Sequence, residues 1–134
     1  MLLNVVVVDD NSDILQMLEL VLESYKFDDI ELSVISYTSP LTALEKMKTE
    51  IPDILISDVC MDGMDGLSML RMLRKRGVMC PAILASDYYV KQETIQRAVP
   101  QNHIVGILDK GEENFFENLK NAIIRATKSL VILK

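Results

Sequence analysis

Apolar and polar positions along this chain switch repeatedly between two periods. Val5, Val6, Val7 and Val8 form an unbroken β-branched run that stops at Asp9-Asp10-Asn11-Ser12. A short apolar run without alternation predicts a strand covered on both faces, as parallel sheets require. The period then changes: Ile14, Leu15, Leu18, Val21, Leu22 and Tyr25 recur at helical spacing, with Asn11 or Ser12 as N-cap. Glu31 to Tyr37 alternates like a strand. Ser39-Pro40 reads as an N-cap and first-turn proline, opening a helix with Leu41, Leu44 and Met47 inward.

The alternation continues to the end. Asp53 to Ser57 carries Ile54, Leu55 and Ile56 as a third strand, followed by a Gly- and Asp-rich loop from Asp58 to Gly66 and a helix from Leu67 to Arg76. Cys80 to Ala85 and His103 to Leu108 read as the fourth and fifth strands. Asp87 to Val99 is a helix with a thin apolar stripe, and Glu112 to Leu130 a helix inward on Phe115 or Phe116, Leu119, Ile123 and Ala126. Parallel strands need right-handed crossovers. The expected fold is therefore α/β: a doubly wound, flavodoxin-like sandwich with a five-stranded parallel sheet flanked by five helices, in a single domain over residues 1–130. Residues 131–134 read as an apolar tail, or the start of a linker to an effector domain.

Composition narrows the function. The 134 residues suit one domain, and with 49% hydrophobic residues the chain can bury a core unaided. Fourteen basic against 20 acidic residues leave a net charge of -6, which speaks against this domain binding nucleic acid directly. Two cysteines give no disulfide framework and no thiolate metal spacing, and no apolar run approaches the roughly 20 residues that span a bilayer. No basic, cleavable leader opens the sequence. The expectation is a reduced, cytoplasmic protein without a membrane segment.

Ligands of doubly wound sheets bind at the carboxyl ends of the strands. There the chain places Asp9 and Asp10, Asp58, Ser86 and Lys110. Each residue alone is ordinary, as a helix cap or a solvated lysine; five convergent ones are not. Carboxylates about 4 Å apart repel by around 4 kcal/mol at an effective dielectric near 20, so three together protonate one member or recruit a cation. Oxygen ligands with open water positions suit Mg²⁺. A carboxylate can also attack phosphorus to give an acyl phosphate. Lys110 and the Ser86 hydroxyl would then neutralise phosphoryl oxygens.

These landmarks, with Asp58-Val59-Cys60-Met61-Asp62-Gly63-Met64-Asp65-Gly66 close to Asp-x-x-Met-Pro-x-Met-Asp-Gly, are carried by nearly the whole chain. It resembles the response regulator receiver domain of bacterial two-component systems, similar to the single-domain chemotaxis regulators. The resemblance implies a phosphorylation-controlled signalling switch in a phosphorelay. Asp58 would be the phosphoacceptor, Ser86 and Lys110 would contact the phosphoryl group, and Asp9, Asp10, Asp58 and the backbone carbonyl of Cys60 would hold Mg²⁺. The implied partners are a histidine kinase or histidine phosphotransfer protein, a downstream protein or attached effector domain, and a second copy in a phosphorylation-linked dimer. At most the domain would catalyse its own phosphorylation and dephosphorylation; it would not be an enzyme otherwise.

Departures from that pattern bear on mechanism. Asp62 replaces a proline. Gly111 stands where proline is usual, and a trans Lys110-Gly111 bond is expected because a non-proline cis bond costs about 2.5–4 kcal/mol. Ile107 takes the place of a switching aromatic residue and is expected to stay inside. Asp87 reads as the N-cap of the following helix, or as a further charge at the pocket mouth. Two alternatives remain: a receiver-like scaffold working without phosphorylation, and a haloacid-dehalogenase-type phosphatase, which lacks its general acid because Cys60 stands two residues after Asp58. Met17, Met47, Met69 and Met72 read as core filler. His103 reads as structural, Cys60 as at most a redox site near the rim, and Arg71, Arg74, Lys75 and Arg76 as a solvated basic face.

Overall fold

A computed structural model describes residues 1–27, 29–87 and 92–133. The elements alternate as the periodicity requires: β1 (Leu2–Val8), α1 (Ser12–Ser24), β2 (Glu31–Tyr37), α2 (Pro40–Lys46), β3 (Ile54–Asp58), α3 (Gly66–Lys75), β4 (Ala82–Ser86), α4 (Gln92–Asn102), β5 (Ile104–Asp109) and α5 (Phe115–Leu133). All neighbouring strands pair in parallel, in the order β2-β1-β3-β4-β5. The order reverses between β1 and β3, which opens a crevice where ligands of such sheets bind.

Two apolar layers cover the sheet. On one face Leu15, Leu18 and Leu22 of α1 and Leu119, Ala122, Ile123 and Ala126 of α5 pack on Val5, Val7, Ile54, Ile56 and Ile83. On the other, α2, α3 and α4 supply Ala43, Leu44, Leu67, Leu70, Leu73, Ile95 and Ala98 against Val6, Val8, Leu55 and Leu84. β3 and β4 are buried at every position. That burial of both faces accounts for their continuous apolar composition.

Several local expectations need correction. β1 begins at Leu2, because exposed Leu2 and Asn4 alternate with buried Leu3 before the valine run. Asn11 is the N-cap of α1, its side chain accepting from the amides of Asp13 and Ile14. Leu41 points outward at 57% exposure, while Ala43, Leu44 and Met47 take the inner side of α2. Met17 and Met72 are also exposed, whereas Met47 and Met69 are core residues. Phe115 is buried and Phe116 lies outside.

α4 departs furthest. Its described part, Gln92–Asn102, runs through Pro100 beyond the expected end at Val99. The expected start of this helix, with Asp87 as its N-cap, falls on residues 88–91, which lie outside the described residues. Nor is the basic face of α3 simply solvated. Arg74 donates to the carbonyls of Asn102 and Val78, and Arg76 to that of Leu44, at 2.7 Å. His103, with φ of 51°, precedes β5 in a turn and bonds the Met79 carbonyl and the Ser129 hydroxyl. α5 continues beyond Leu130 to Leu133.

Candidate functional site

The five expected side chains lie at the carboxyl edge of the sheet, and Cys60 follows in the loop between β3 and α3. Asp9 and Asp10 follow β1, Asp58 and Ser86 end β3 and β4, and Lys110 follows β5. Parallel register fixes their levels, since Asp58 pairs with Ala85 and Ser86 with Asp109. Asp9, Asp58 and Ser86 are buried, Asp10 is exposed. Carboxylate oxygens of Asp9, Asp10 and Asp58 all lie within 4.8 Å of one another.

Lys110 crosses from the far strand to meet this charge. Its Nζ donates to Asp9 Oδ2 at 2.6 Å and stands 3.2 Å from Asp58 Oδ2, with only 10% of the side chain exposed. Burial alone would lower its pKa, but bonding to Asp9 and attraction from Asp58 and Asp9 outweigh that and raise it. Asp58 shows the opposite balance. Desolvation pushes its pKa up, Lys110 pulls it down, Asp9 pushes it up again, and the net effect is upward.

The surrounding backbone sets the aim of each group. The Asn11 amide donates to Asp9 Oδ1 at 2.9 Å, leaving Oδ2 for Lys110. The Val59 amide bonds Ala85 O, tying the start of the β3–α3 loop to β4. Lys110 N bonds Ser86 O at 2.9 Å, joining the loop after β5 to the end of β4. Gly66 closes the β3–α3 loop by donating to Val59 O at 2.8 Å. A Cβ at Gly66 would stand 2.1 Å from Asp58 O, so only glycine fits there.

Two contacts escape sequence reasoning. The amide of Asp62 donates to Asp10 Oδ2 at 3.1 Å, and that of Gly111 to Asp109 Oδ1 at 2.8 Å. Both use an N–H that a proline would lack. The signal for the second was present: Asp-x-Gly favours an Asx turn, in which a carboxylate caps the amide two residues on. The Lys110-Gly111 bond is trans, and Ile107 is half-buried against the cluster containing Leu84 and Ile104.

Three carboxylates on a hard-oxygen rim form a donor set that fits Mg²⁺, which prefers few carboxylates and several waters. The fold, the acidic group and the lysine together define a receiver-type switch. Residues 5–123 match the response regulator receiver domain family, and the chain belongs to it. Members bind Mg²⁺ at such an acidic group and serve as phosphoacceptors in two-component signalling, which makes this domain a phosphorylation-controlled switch.

Among relatives, the chain is 37% identical over 82 residues to the DNA-binding transcriptional regulator NtrC of Klebsiella pneumoniae, covering 61% of this chain and 16% of that protein. It is 32% identical over 106 residues to protein-glutamate methylesterase/protein-glutamine glutaminase 2 of Rhizobium johnstonii, covering 79% of this chain and 28% of that protein. The chain thus spans between about a sixth and somewhat over a quarter of these relatives. A receiver domain from Clostridium thermocellum superposes with a TM-score of 0.83 at 23% identity, covering 98% of this chain and 99% of the other. The response regulator domain of Thermotoga maritima CheB gives 0.78 at 21% identity, covering 96% and 98%. These likenesses establish the fold. Among the described residues, no helix is long and apolar enough to cross a membrane.

Proposed function

We propose that Asp58 is the phosphoacceptor, and that a phosphohistidine on a histidine kinase or phosphotransfer protein is its donor. The observation that carries this reading is Lys110 Nζ, 3.2 Å from Asp58 Oδ2 and bound to Asp9, at the crevice where the strand order reverses. An Asp58 oxygen attacks phosphorus, the donor's P–N bond breaks, and the imidazole nitrogen keeps the electron pair and takes a proton. The product is an acyl phosphate. Lys110 then exchanges part of its pairing with carboxylates for the phosphoryl oxygens, and the Ser86 hydroxyl donates a charge-assisted hydrogen bond to another. Asp9, Asp10 and Asp58, with the Cys60 carbonyl, would hold Mg²⁺, which supplies further neutralisation of phosphoryl charge.

The domain acts in the cytoplasm, and its catalysis is confined to its own phosphorylation and dephosphorylation. Its output passes to a downstream protein, or to an effector domain attached beyond residues 131–134, with a phosphorylation-linked dimer as one form of the signal. The net charge of -6 supports an output that does not involve direct nucleic-acid contact by this domain. The test is incubation with Mg²⁺ and acetyl phosphate. One phosphate should be added, and Asp58→Asn should abolish it. Label persisting in that variant removes Asp58 as the nucleophile and favours another site or a scaffold role.

A further inference from the structure

Lys110 must reach across from the end of β5 to carboxylates on β1 and β3, and a lysine side chain has four rotatable bonds with which to miss. Its placement therefore depends on how firmly its own peptide is held. Two anchors hold the peptides on either side of its Cα. Lys110 N bonds Ser86 O at 2.9 Å, and the next amide, that of Gly111, donates to Asp109 Oδ1 at 2.8 Å. The Asp109 carbonyl also accepts from Glu112 N at 3.2 Å, so this residue closes the turn with both its side chain and its backbone. Asp109 itself sits in register with Ser86 as the last residue of β5.

We infer that Asp109 is a positioning residue for Lys110: its carboxylate fixes the Lys110-Gly111 peptide so that the ammonium bridges Asp9 and Asp58. Asp109 acts through the loop and not by touching the phosphoryl group. What the loop needs is an acceptor oxygen, which an asparagine amide also supplies, so charge at this position is dispensable. In the part concerning phosphorylation, the inference rests on the phosphoacceptor reading above; in the part concerning Lys110 it stands alone.

The experiment compares wild type, Asp109→Asn and Asp109→Ala in two assays, with thermal melts as a check on folding. In the first, trace acetic anhydride labels amines and mass spectrometry reads the rate at Lys110, relative to exposed Lys48. Loss of one hydrogen bond should raise the Lys110 rate about three- to tenfold in Asp109→Ala, with Asp109→Asn close to wild type. In the second, Mg²⁺-dependent phosphorylation by acetyl phosphate should slow by a similar factor in Asp109→Ala and be restored in Asp109→Asn. Equal Lys110 labelling in all three proteins overturns the inference, as does equal behaviour of the alanine and asparagine variants. Raised Lys110 labelling in Asp109→Ala with no phosphate uptake even by wild type supports the positioning role and sinks the phosphoacceptor reading instead.

Discussion

α5 and α4 both pack against β5, from opposite faces of the sheet, and they are held by different means. α5 is 19 residues long and buries Phe115, Leu119, Ala122, Ile123 and Ala126 in the layer it shares with α1. α4 has 11 residues, and among its described side chains Ile95 and Ala98 are its buried apolar contacts. Its far end is fastened by polar groups: Arg74 donates to Asn102 O, and Asn102 Nδ2 donates to Ala98 O at 2.9 Å. Pro100 inside α4 also removes one helical N–H. Apolar packing along a whole helix resists displacement at every turn. A thinner described stripe with a polar clamp at its end packs α4 less firmly than α5, so the two helices divide into an anchor and a mover.

The sharpest way to break this comparison is to delete the same atoms from both helices. Ile123→Ala in α5 should cost about 4 kcal/mol, and Ile95→Ala in α4 nearer about 2 kcal/mol, because the looser site can collapse into the cavity. Urea denaturation of both variants measures this, and equal losses would remove the distinction. Arg74→Ala comes next. It leaves the Asn102 carbonyl without its donor and should cost about 1.5–3 kcal/mol, with amide exchange rising first near the end of α4. Unchanged exchange over residues 98–102 would mean that the clamp holds nothing.

Phosphorylation, or beryllofluoride as its mimic, sharpens the comparison from the signalling side. Ser86 should be drawn toward the phosphoryl group, while the branched, apolar Ile107 stays inside. Exchange should change by roughly tenfold in α4 and little in Ile104–Asp109 or α5, the scale of about 1.4 kcal/mol of local stability. A response centred on β5 with α4 silent would refute this route.

The smallest effect concerns the site before any phosphate arrives. Burial raises the pKa of Asp58 in the folded protein, so the native state binds more protons than the unfolded one in the acid range. Its contribution to stability therefore falls as pH rises from the unfolded carboxylate pKa through the folded one. Lys110, also raised, stabilises fully below the ordinary lysine range and loses that contribution as pH climbs through its folded pKa. Without metal at neutral pH, Asp58→Asn should thus raise Tm by about 3 °C, and the gain should vanish in acid below the carboxylate range. A lower Tm at neutral pH would show that pairing with Lys110 outweighs desolvation.

How far the sequence carried this picture depended on where the constraint lay. β2 spans Glu31–Tyr37 as its alternation indicates, and Ser39 with Pro40 opens α2, because each signal is local. The site was legible for a related reason: Asp9, Asp10, Asp58, Ser86 and Lys110 each follow or end an apolar run, and parallel topology sends all strand ends one way. The end of α4 was misjudged because a thin stripe gives no phase, and the helix passes through Pro100 to Asn102. Leu41 was assigned inward by spacing alone, yet it faces away from the sheet. The hold of Asp62 on Asp10 was invisible, since it depends on where a backbone amide points after the chain has turned, whereas Asp-x-Gly did signal that of Asp109 on Gly111.

The contact between Gly66 and Asp58 has a consequence for time as well as shape. With Gly66 N bonded to Val59 O and no room for a Cβ beside Asp58 O, the loop between them is a closed ring before any ligand arrives. Closing a loop of this length restricts the chain whenever it happens. Here the restriction is met once, during folding, and is not repeated at each cycle of the switch. A loop closed in this way meets a phosphodonor already in its conformation, and Gly66→Ala is expected to slow phosphate uptake by acetyl phosphate.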